Sequence, residues 1–256
     1  MSRRRSREDV YRFWWEKTFK EREELLRERF GETEPPGWVM PFSWNDLIVP
    51  GACSLCFKPS TPERPHWLYL SHGLTQPLEP EPPVQGRWSG YGCEFGILTN
   101  AESFWTIDAL YQLIAYVKSK EASIGIGHRV PIAFFDKHSE GVVRPELGMV
   151  QEDGLTPLGM MRALLFWPYM DQPKPFWTTT GYFDILVGVT ITHEEWEMAK
   201  ETSSTHVLYL LTRAGVGQVS DLGRTTITDD SRWSNEWESI RRLSQEEVQR
   251  LLGPSG

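Results

Sequence analysis

Cysteine is scarce in this chain of 256 residues: there are three, Cys53, Cys56 and Cys93. A small, odd number excludes a disulfide framework as the organising device of the fold. No run of ~18 apolar residues occurs, so no membrane-spanning helix is expected. The start, MSRRRSREDV, is basic, but no apolar segment follows it. No secretory leader is therefore expected, and the cytoplasm is the expected compartment. Positive charge is in short supply, with 27 Lys and Arg against 35 Asp and Glu and a net charge of −8. That argues against a general nucleic-acid binder, which needs cations to displace counterions. It suits a basic partner, or solubility alone.

Catalytic signatures are missing as well. His193-Glu194 has no second histidine four residues on, so the helical zinc-protease pattern is absent. No Gly-x-Ser-x-Gly elbow occurs. Gly125-Ile-Gly127 begins a dinucleotide fingerprint, but Val130 stands where a third glycine belongs. It also follows a helix and enters a strand, the reverse of the order that cradles a pyrophosphate. Residues 214–218, AGVGQ, fail in the same way, and these glycines read as helix ends and turns. Cys53-Ser-Leu-Cys56 is a C-x2-C pair that Cys93 with His66 or His72 would complete as a zinc site. No second closely spaced pair supports it, and both histidines lie in or beside a strand. No metal and no cofactor are expected, and the chain reads as a non-enzyme. A hydrolase assembled from converging histidines and carboxylates stays open as a third reading.

What is present is 39% hydrophobic residues, 24% charged residues and twelve tryptophans. The first two suit a globular protein. The surplus of large aromatics fits a chain that presents an interaction surface. Residues 8–30 predict a helix with apolar residues at its ends, a charged, solvated middle and a Glu16–Lys20 pair at i,i+4. Gly31 and Pro35-Pro36-Gly37 stop it. Residues 38–65 read as irregular with short strands, 66–74 as a strand, and 75–90, with four prolines, as a loop. A strand follows at 93–99. Residues 103–122 form the clearest helix, with Ile107, Leu110, Ile114 and Val117 on one face and a capping box from Thr99 and Glu102. Residues 124–132 turn into a strand, and 160–169 form another. Residues 182–191 alternate as a central strand. A helix over 192–201 is capped by Thr192 and Glu195, and a second helical face runs over 206–214. In the polar tail, Ser244 and Glu247 cap a last short helix. The expectation is an α+β fold, a mixed β-sheet flanked by helices. It divides into an appended N-terminal helix (1–36), a main domain (37–230) and a C-terminal tail with a short helix (231–256).

An ordered set of segments carries a resemblance. HWLYLSHGLT is followed by SGYGCEFGIL, then WTIDALYQLIAYV, then GHRVPI. In the second half come FDILVGVTITHEEWEMAKE and VLYLLTRAGVGQVSDLGRTTI. Together, over about residues 40–228, they resemble the suppressor of fused (SUFU) domain family. The resemblance implies a SUFU-like fold, no enzymatic activity and a protein partner. In the animal member that partner is a transcription factor, gripped as an added strand. Bacterial members are thought to be immunity proteins of polymorphic toxin systems, and a chain of this length is compatible with the bacterial type.

Site residues carry over sparingly. Tyr116 falls at the end of the family helix and Gly127 in the turn after it, near where the animal protein contacts its peptide. His128 stands where that protein has an acidic residue. Ser89, Gly90, Gly92 and Glu94 match the family motif and read as structural. Glu94 should face away from Cys93 and Phe95 and, if buried, needs a partner such as Arg129. The Pro-rich loop 75–88 with Trp88 is a plausible contact surface. Trp88, Tyr91, Tyr116, Gly127 and His128 are the candidate partner-binding residues. The leading reading is an immunity protein that neutralises a cognate toxin, a basic domain. The alternative is a regulatory scaffold that holds an extended peptide. Neither nucleic acid nor membrane is an expected partner.

Overall fold

A computed structural model of the chain describes residues 7–31, 38–39, 54–76, 87–103, 105–120, 123–131, 161–169 and 175–253. The described strands are β1 (Trp38–Val39), β2 (Ser54–Lys58), β3 (Trp67–His72), β4 (Trp88–Thr99), β5 (Arg129–Pro131), β6 (Met161–Pro168), β7 (Phe176–Thr178), β8 (Gly181–Thr192) and β9 (Val219–Ser220). The helices are α1 (Arg7–Phe30), α2 (Trp105–Lys120), α3 (His193–Glu201), α4 (Ser204–Arg213), α5 (Ser231–Ile240) and α6 (Gln245–Leu252). All nine strands join one sheet in the order β1-β2-β3-β4-β8-β6-β5, with β7 added to β8 and β9 to β4. The sheet is mixed. β4 and β8 run parallel at its centre, and their neighbours along that order are antiparallel. The expected α+β class is therefore correct.

Strict alternation assigns the two faces. On β4, Cys93, Phe95 and Ile97 point to the face covered by α2, where they meet Ile107, Leu110, Ile114 and Val117. These four α2 residues are the ones whose spacing predicted the helix. On β8, Phe183, Ile185 and Val187 point the other way, into a core with Leu26 and Phe30 of α1. Farther along the same face, Val189 and Ile191 pack with Val207, Leu210 and Leu211 of α4 and with Trp237 and Ile240 of α5. Among the described residues, α2 thus covers one face, while α1 and the C-terminal helices cover the other. Full burial of such aliphatic side chains contributes about 1.5–3 kcal/mol each.

Several local expectations hold. Thr192 and Glu195 form a complete capping box on α3, and Ser244 and Glu247 do so on α6. Others are corrected. Thr99 and Glu102 do not cap α2: Thr99 ends β4, its hydroxyl donates to the Ala101 carbonyl at 2.6 Å, and the helix starts only at Trp105. β4 begins at Trp88, so the Ser-Gly-Tyr-Gly stretch lies within the strand rather than before it. The tail holds two helices, not one. Asp230 caps α5, and its Trp237 and Ile240 are buried.

The expected solvated middle of α1 is the largest local error. Thr18, Arg22, Leu26 and Phe30 recur every four residues and are all buried. Phe13, near the helix's N-terminal end, is instead 45% exposed. A four-residue repeat on a helix is one stripe, and this stripe lies on the sheet. Its end is tied down as well. Lys58 Nζ donates to the Gly31 carbonyl at 2.7 Å, and Arg64 Nη2 donates to the Phe30 carbonyl at 3.4 Å. Both cations meet the negative end of the helix dipole.

Candidate partner-binding surface

The Ser-Gly-Tyr-Gly segment, which reads as structural in the sequence, is part of a buried joint. Between Trp88 and Cys93 the register of β4 against β8 shifts, and Gly90 and Gly92 occupy left-handed conformations there, with φ of +56° and +81°. This is a bulge, and it lets the turn after β3 press against β4. Tyr91 N donates to the Leu74 carbonyl at 2.9 Å. A Cβ on Gly90 would stand 2.4 Å from the Leu74 oxygen and 2.5 Å from that of Gln76.

Glu94 sits inside this joint with no exposure. Its Oε1 accepts from Gly73 N (3.0 Å), Thr75 N (3.0 Å) and Thr75 Oγ1 (2.6 Å). Its Oε2 accepts from Ser71 Oγ (2.6 Å) and Leu74 N (3.4 Å). As alternation required, it faces away from Cys93 and Phe95. Its cation is not Arg129, however, but Arg22 of α1, whose Nε lies 3.9 Å from Oε1. Arg22 Nη1 also donates to Thr75 Oγ1 at 2.9 Å. Gln76, with its amide oxygen turned toward α1, accepts from Nη2 at 2.8 Å. Arg129 is used elsewhere: its guanidinium lies 5.0 Å from the Trp196 ring centroid. The joint extends through Ser89, which donates to the Thr75 carbonyl at 2.6 Å and meets Thr180 at 2.7 Å; Thr18 donates to Thr180 at 3.1 Å.

A second buried pair joins Arg224, in the segment after α4, to Glu195 of α3. Arg224 Nη1 and Nη2 each lie 2.6 Å from a different oxygen of Glu195, the capping-box residue. The same carboxylate accepts from Thr192 N and Ile227 N. These two carboxylates are consumed by the fold.

A serine–histidine pair is occupied in a similar way. Ser203 Oγ and His206 Nδ1 are 2.7 Å apart, a nucleophile-and-base spacing. Ser203 is nevertheless the N-cap of α4, and His206 Nε2 is bonded to the Leu243 carbonyl at 3.0 Å. The pair fastens α4 to the turn before α6. Burial, and then the Arg22 and Lys58 charges, hold the His72 pKa well below the usual imidazole range, so His72 is neutral at pH 7. Cys56 and Cys93 belong to cores on opposite faces of the sheet and share no ligand site. Cys53 lies outside the described residues. Among the described residues, no group of three His, Cys, Asp or Glu is placed to hold a metal ion.

Burial pushes the Cys56 and Cys93 thiols up to about 12. At pH 8 roughly one in ten thousand of each is thiolate, the reactive form. In a Cys53→Ser variant, both thiols should resist a disulfide-exchange reagent in native buffer and react fully in denaturant. Stoichiometric labelling of the folded protein within minutes would contradict their placement.

The five candidate partner-binding residues do not form one patch. Trp88 pairs with Tyr182 at the start of β8, and the residue is 50% exposed. Tyr91 and Tyr116 are partly buried against the α2 core. Gly127 N donates to the Phe166 carbonyl at 2.8 Å, Phe166 N donates to the His128 carbonyl at 2.9 Å, and Ser204 donates to the Gly127 carbonyl at 2.6 Å. That turn therefore lies beyond β6, beside a residue paired with Gly188. Strand spacings put it on the order of 20 Å from Trp88. The Pro-rich loop lies largely outside the described residues.

Sequence reasoning missed Trp177 and Tyr182. Trp177 pairs with Tyr182 from β7, and it is 58% exposed. Ring centroids are 4.1 Å apart for Trp88–Tyr182 and 5.1 Å for Trp177–Tyr182. Three neighbouring strands thus present a row of three aromatic rings. Elsewhere, a cleft of about 950 Å³ lies between the end of α1, residues 61–66 and the 215–219 turn. Its Arg64 is committed to the carbonyls of Phe30, Lys58, Pro59 and His66.

Comparison with known proteins matches this architecture. A sequence profile described as "Suppressor of fused protein (SUFU)" matches residues 51–225, a span that includes both buried carboxylates and the arginine of the second pair. No curated protein matches by sequence. Among solved structures, the fold is similar to Drosophila Suppressor of Fused, with a TM-score of 0.59 and 15% identity over 88% of this chain. The chain spans about half, 54%, of that protein. It is also similar to a chain of the Sufu–Fu complex (0.55, 16%, 95% of this chain and 98% of that one). A suppressor of fused homolog from Neisseria gonorrhoeae is similar too (0.54, 14%, 84% and 97%). At these identities the structures establish the fold. The profile covers well over half of the chain and runs through the Glu94 joint and the Glu195–Arg224 pair, and on that ground this protein belongs to the suppressor of fused family.

Proposed function

We propose that the chain is a non-catalytic protein-binding domain, an immunity protein that neutralises a cognate basic toxin domain in the cytoplasm. The observation that carries this reading is the row of Trp88, Tyr182 and Trp177 at the surface of a chain with net charge −8. Tryptophan and tyrosine dominate binding energy at protein interfaces. Negative charge speeds association with a basic partner and makes it salt-dependent. One protein of similar fold was crystallised as the Sufu–Fu complex, so a family fold does engage a protein partner. A second reading has its own observation. β5 ends the sheet order among the described residues, beside the Gly127–His128 turn, and a sheet edge is where an extended peptide adds as a strand.

The test is affinity purification of the tagged full chain from its native host at low and high salt, with mass spectrometry of the eluate. One folded basic domain, recovered near 1:1 and released by salt, is the expected result. Salt-insensitive capture of an acidic domain would remove the electrostatic part. Capture through a short linear segment alone would favour the strand-addition reading. Nothing above background at either salt would overturn the binder and turn attention to enzymatic activity.

A further inference from the structure

The aromatic row is joined by an acid that the fold does not use. Asp184 lies two residues beyond Tyr182, on the same face of β8 and roughly 7 Å along the strand. It pairs in register with Cys93 of β4. Its carboxylate is half-buried and accepts no hydrogen bond from any described residue. Glu94 and Glu195, by contrast, take five and four bonds respectively. Burial alone raises the Asp184 pKa, because no donor offsets the lost hydration. The neighbouring Cys93 thiol stays neutral and supplies no charge.

The rings are held for use from outside. Trp88 rests on Gly92, where a Cβ would stand 3.2–3.4 Å from three of its carbons. It tilts 51° against Tyr182, and Trp177 tilts 44° on the other side. Half or more of each tryptophan is left in solvent. Aromatic faces carry negative potential, and so does the carboxylate. The group that answers both is a planar cation that stacks by its face and donates from its edge. A guanidinium does this; an ammonium supplies charge without the stacking.

We infer that Trp88, Tyr182, Trp177 and Asp184 form a receptor for an arginine side chain of the partner protein, its guanidinium stacked on the rings and donating to the Asp184 carboxylate. This rests on the protein-binding reading above and names the chemistry recognised. The chain's net charge of −8 favours the approach of a basic surface. The receptor is separate from the Gly127–His128 turn, so the two surfaces can be tested independently.

The probe is N-acetyl-argininamide, titrated into the ¹⁵N-labelled full chain. The indole N–H signals of Trp88 and Trp177 are assigned through Trp88→Phe and Trp177→Phe. Those two signals should shift saturably. The neutral isostere N-acetyl-citrullinamide should leave them unmoved. Affinity should fall at least fivefold in Asp184→Asn and in Trp177→Ala. The asparagine is nearly isosteric and the tryptophan is exposed, so both variants should keep the wild-type unfolding midpoint; if the alanine variant does not, the asparagine variant decides. Equal response to the citrulline compound, shifts confined to other tryptophans, or an Asp184→Asn affinity within twofold of wild type would each overturn the proposal. Because the probe is a single amino-acid derivative, this outcome does not depend on whether a host partner is recovered.

Discussion

Glu94→Ala is expected to leave the chain largely unfolded or insoluble. The substitution removes the acceptor of five hydrogen bonds and strands Arg22, which is fully buried. Removing one member of a buried ion pair costs about 3–5 kcal/mol, because the other charge stays uncompensated. That is a large part of the roughly 5–15 kcal/mol that holds a domain together. Glu94→Gln keeps the shape but turns an amide N–H₂ toward a ring of donors, so it should also be strongly destabilising. The diagnostic variant is Arg22→Met with Glu94→Gln. If the two residues act as one unit, the double change should cost less than the sum of the singles. Denaturant midpoints of the four proteins measure this. A cost below ~1 kcal/mol for Glu94→Ala would mean that the joint contributes little.

The second large effect is expected from a single methyl group. Gly90 and Gly217 have nearly the same left-handed φ, +56° and +57°. Placing alanine in that conformation costs about 1–2 kcal/mol. At Gly217 the new Cβ meets nothing within 4 Å, whereas at Gly90 it lies 2.4 and 2.5 Å from two backbone oxygens. Those oxygens belong to the turn that wraps Glu94 and cannot rotate away. Overpacking adds about 1–3 kcal/mol, and the shift would also strain the Tyr91–Leu74 bond. Gly90→Ala should therefore lower the midpoint markedly, and Gly217→Ala only modestly. Equal effects would show that φ alone matters and that the close approach is tolerant.

The sequence was readable where local periodicity and burial coincide. The alternation of 182–191, the four aliphatics of α2 and two capping boxes all describe contacts that a segment makes with one uniform surface. The α1 stripe was not readable, because two of its four members, Thr18 and Arg22, are polar. A search for apolar spacing sees only Leu26 and Phe30. The partner of Glu94 was misassigned for a related reason. Alternation fixes which face a side chain takes, but not which distant element covers that face. Asp230, Trp237 and Ile240 did carry a helix signal for α5, but it lay in a segment that read as polar tail. The aromatic row needed three strands to be aligned in register, and β7 is only three residues long, too short to announce itself by pattern.

The parallel pairing of β4 with β8 has a consequence for how the chain is made. A parallel neighbour cannot be supplied by a hairpin, and residues up to about 192 must be synthesised before β8 can lie against β4. Thr18 likewise waits for Thr180. At cellular elongation rates the interval after β4 emerges is roughly ten seconds. Through that interval the nascent chain holds one long edge of β4 unpaired and its apolar face half-covered. Such non-local pairing is slow to form and open to aggregation while it waits. The vulnerable species is thus the half-made chain on the ribosome, and a chaperone that occupies the β4 edge there should raise the yield of soluble protein more than one added after release.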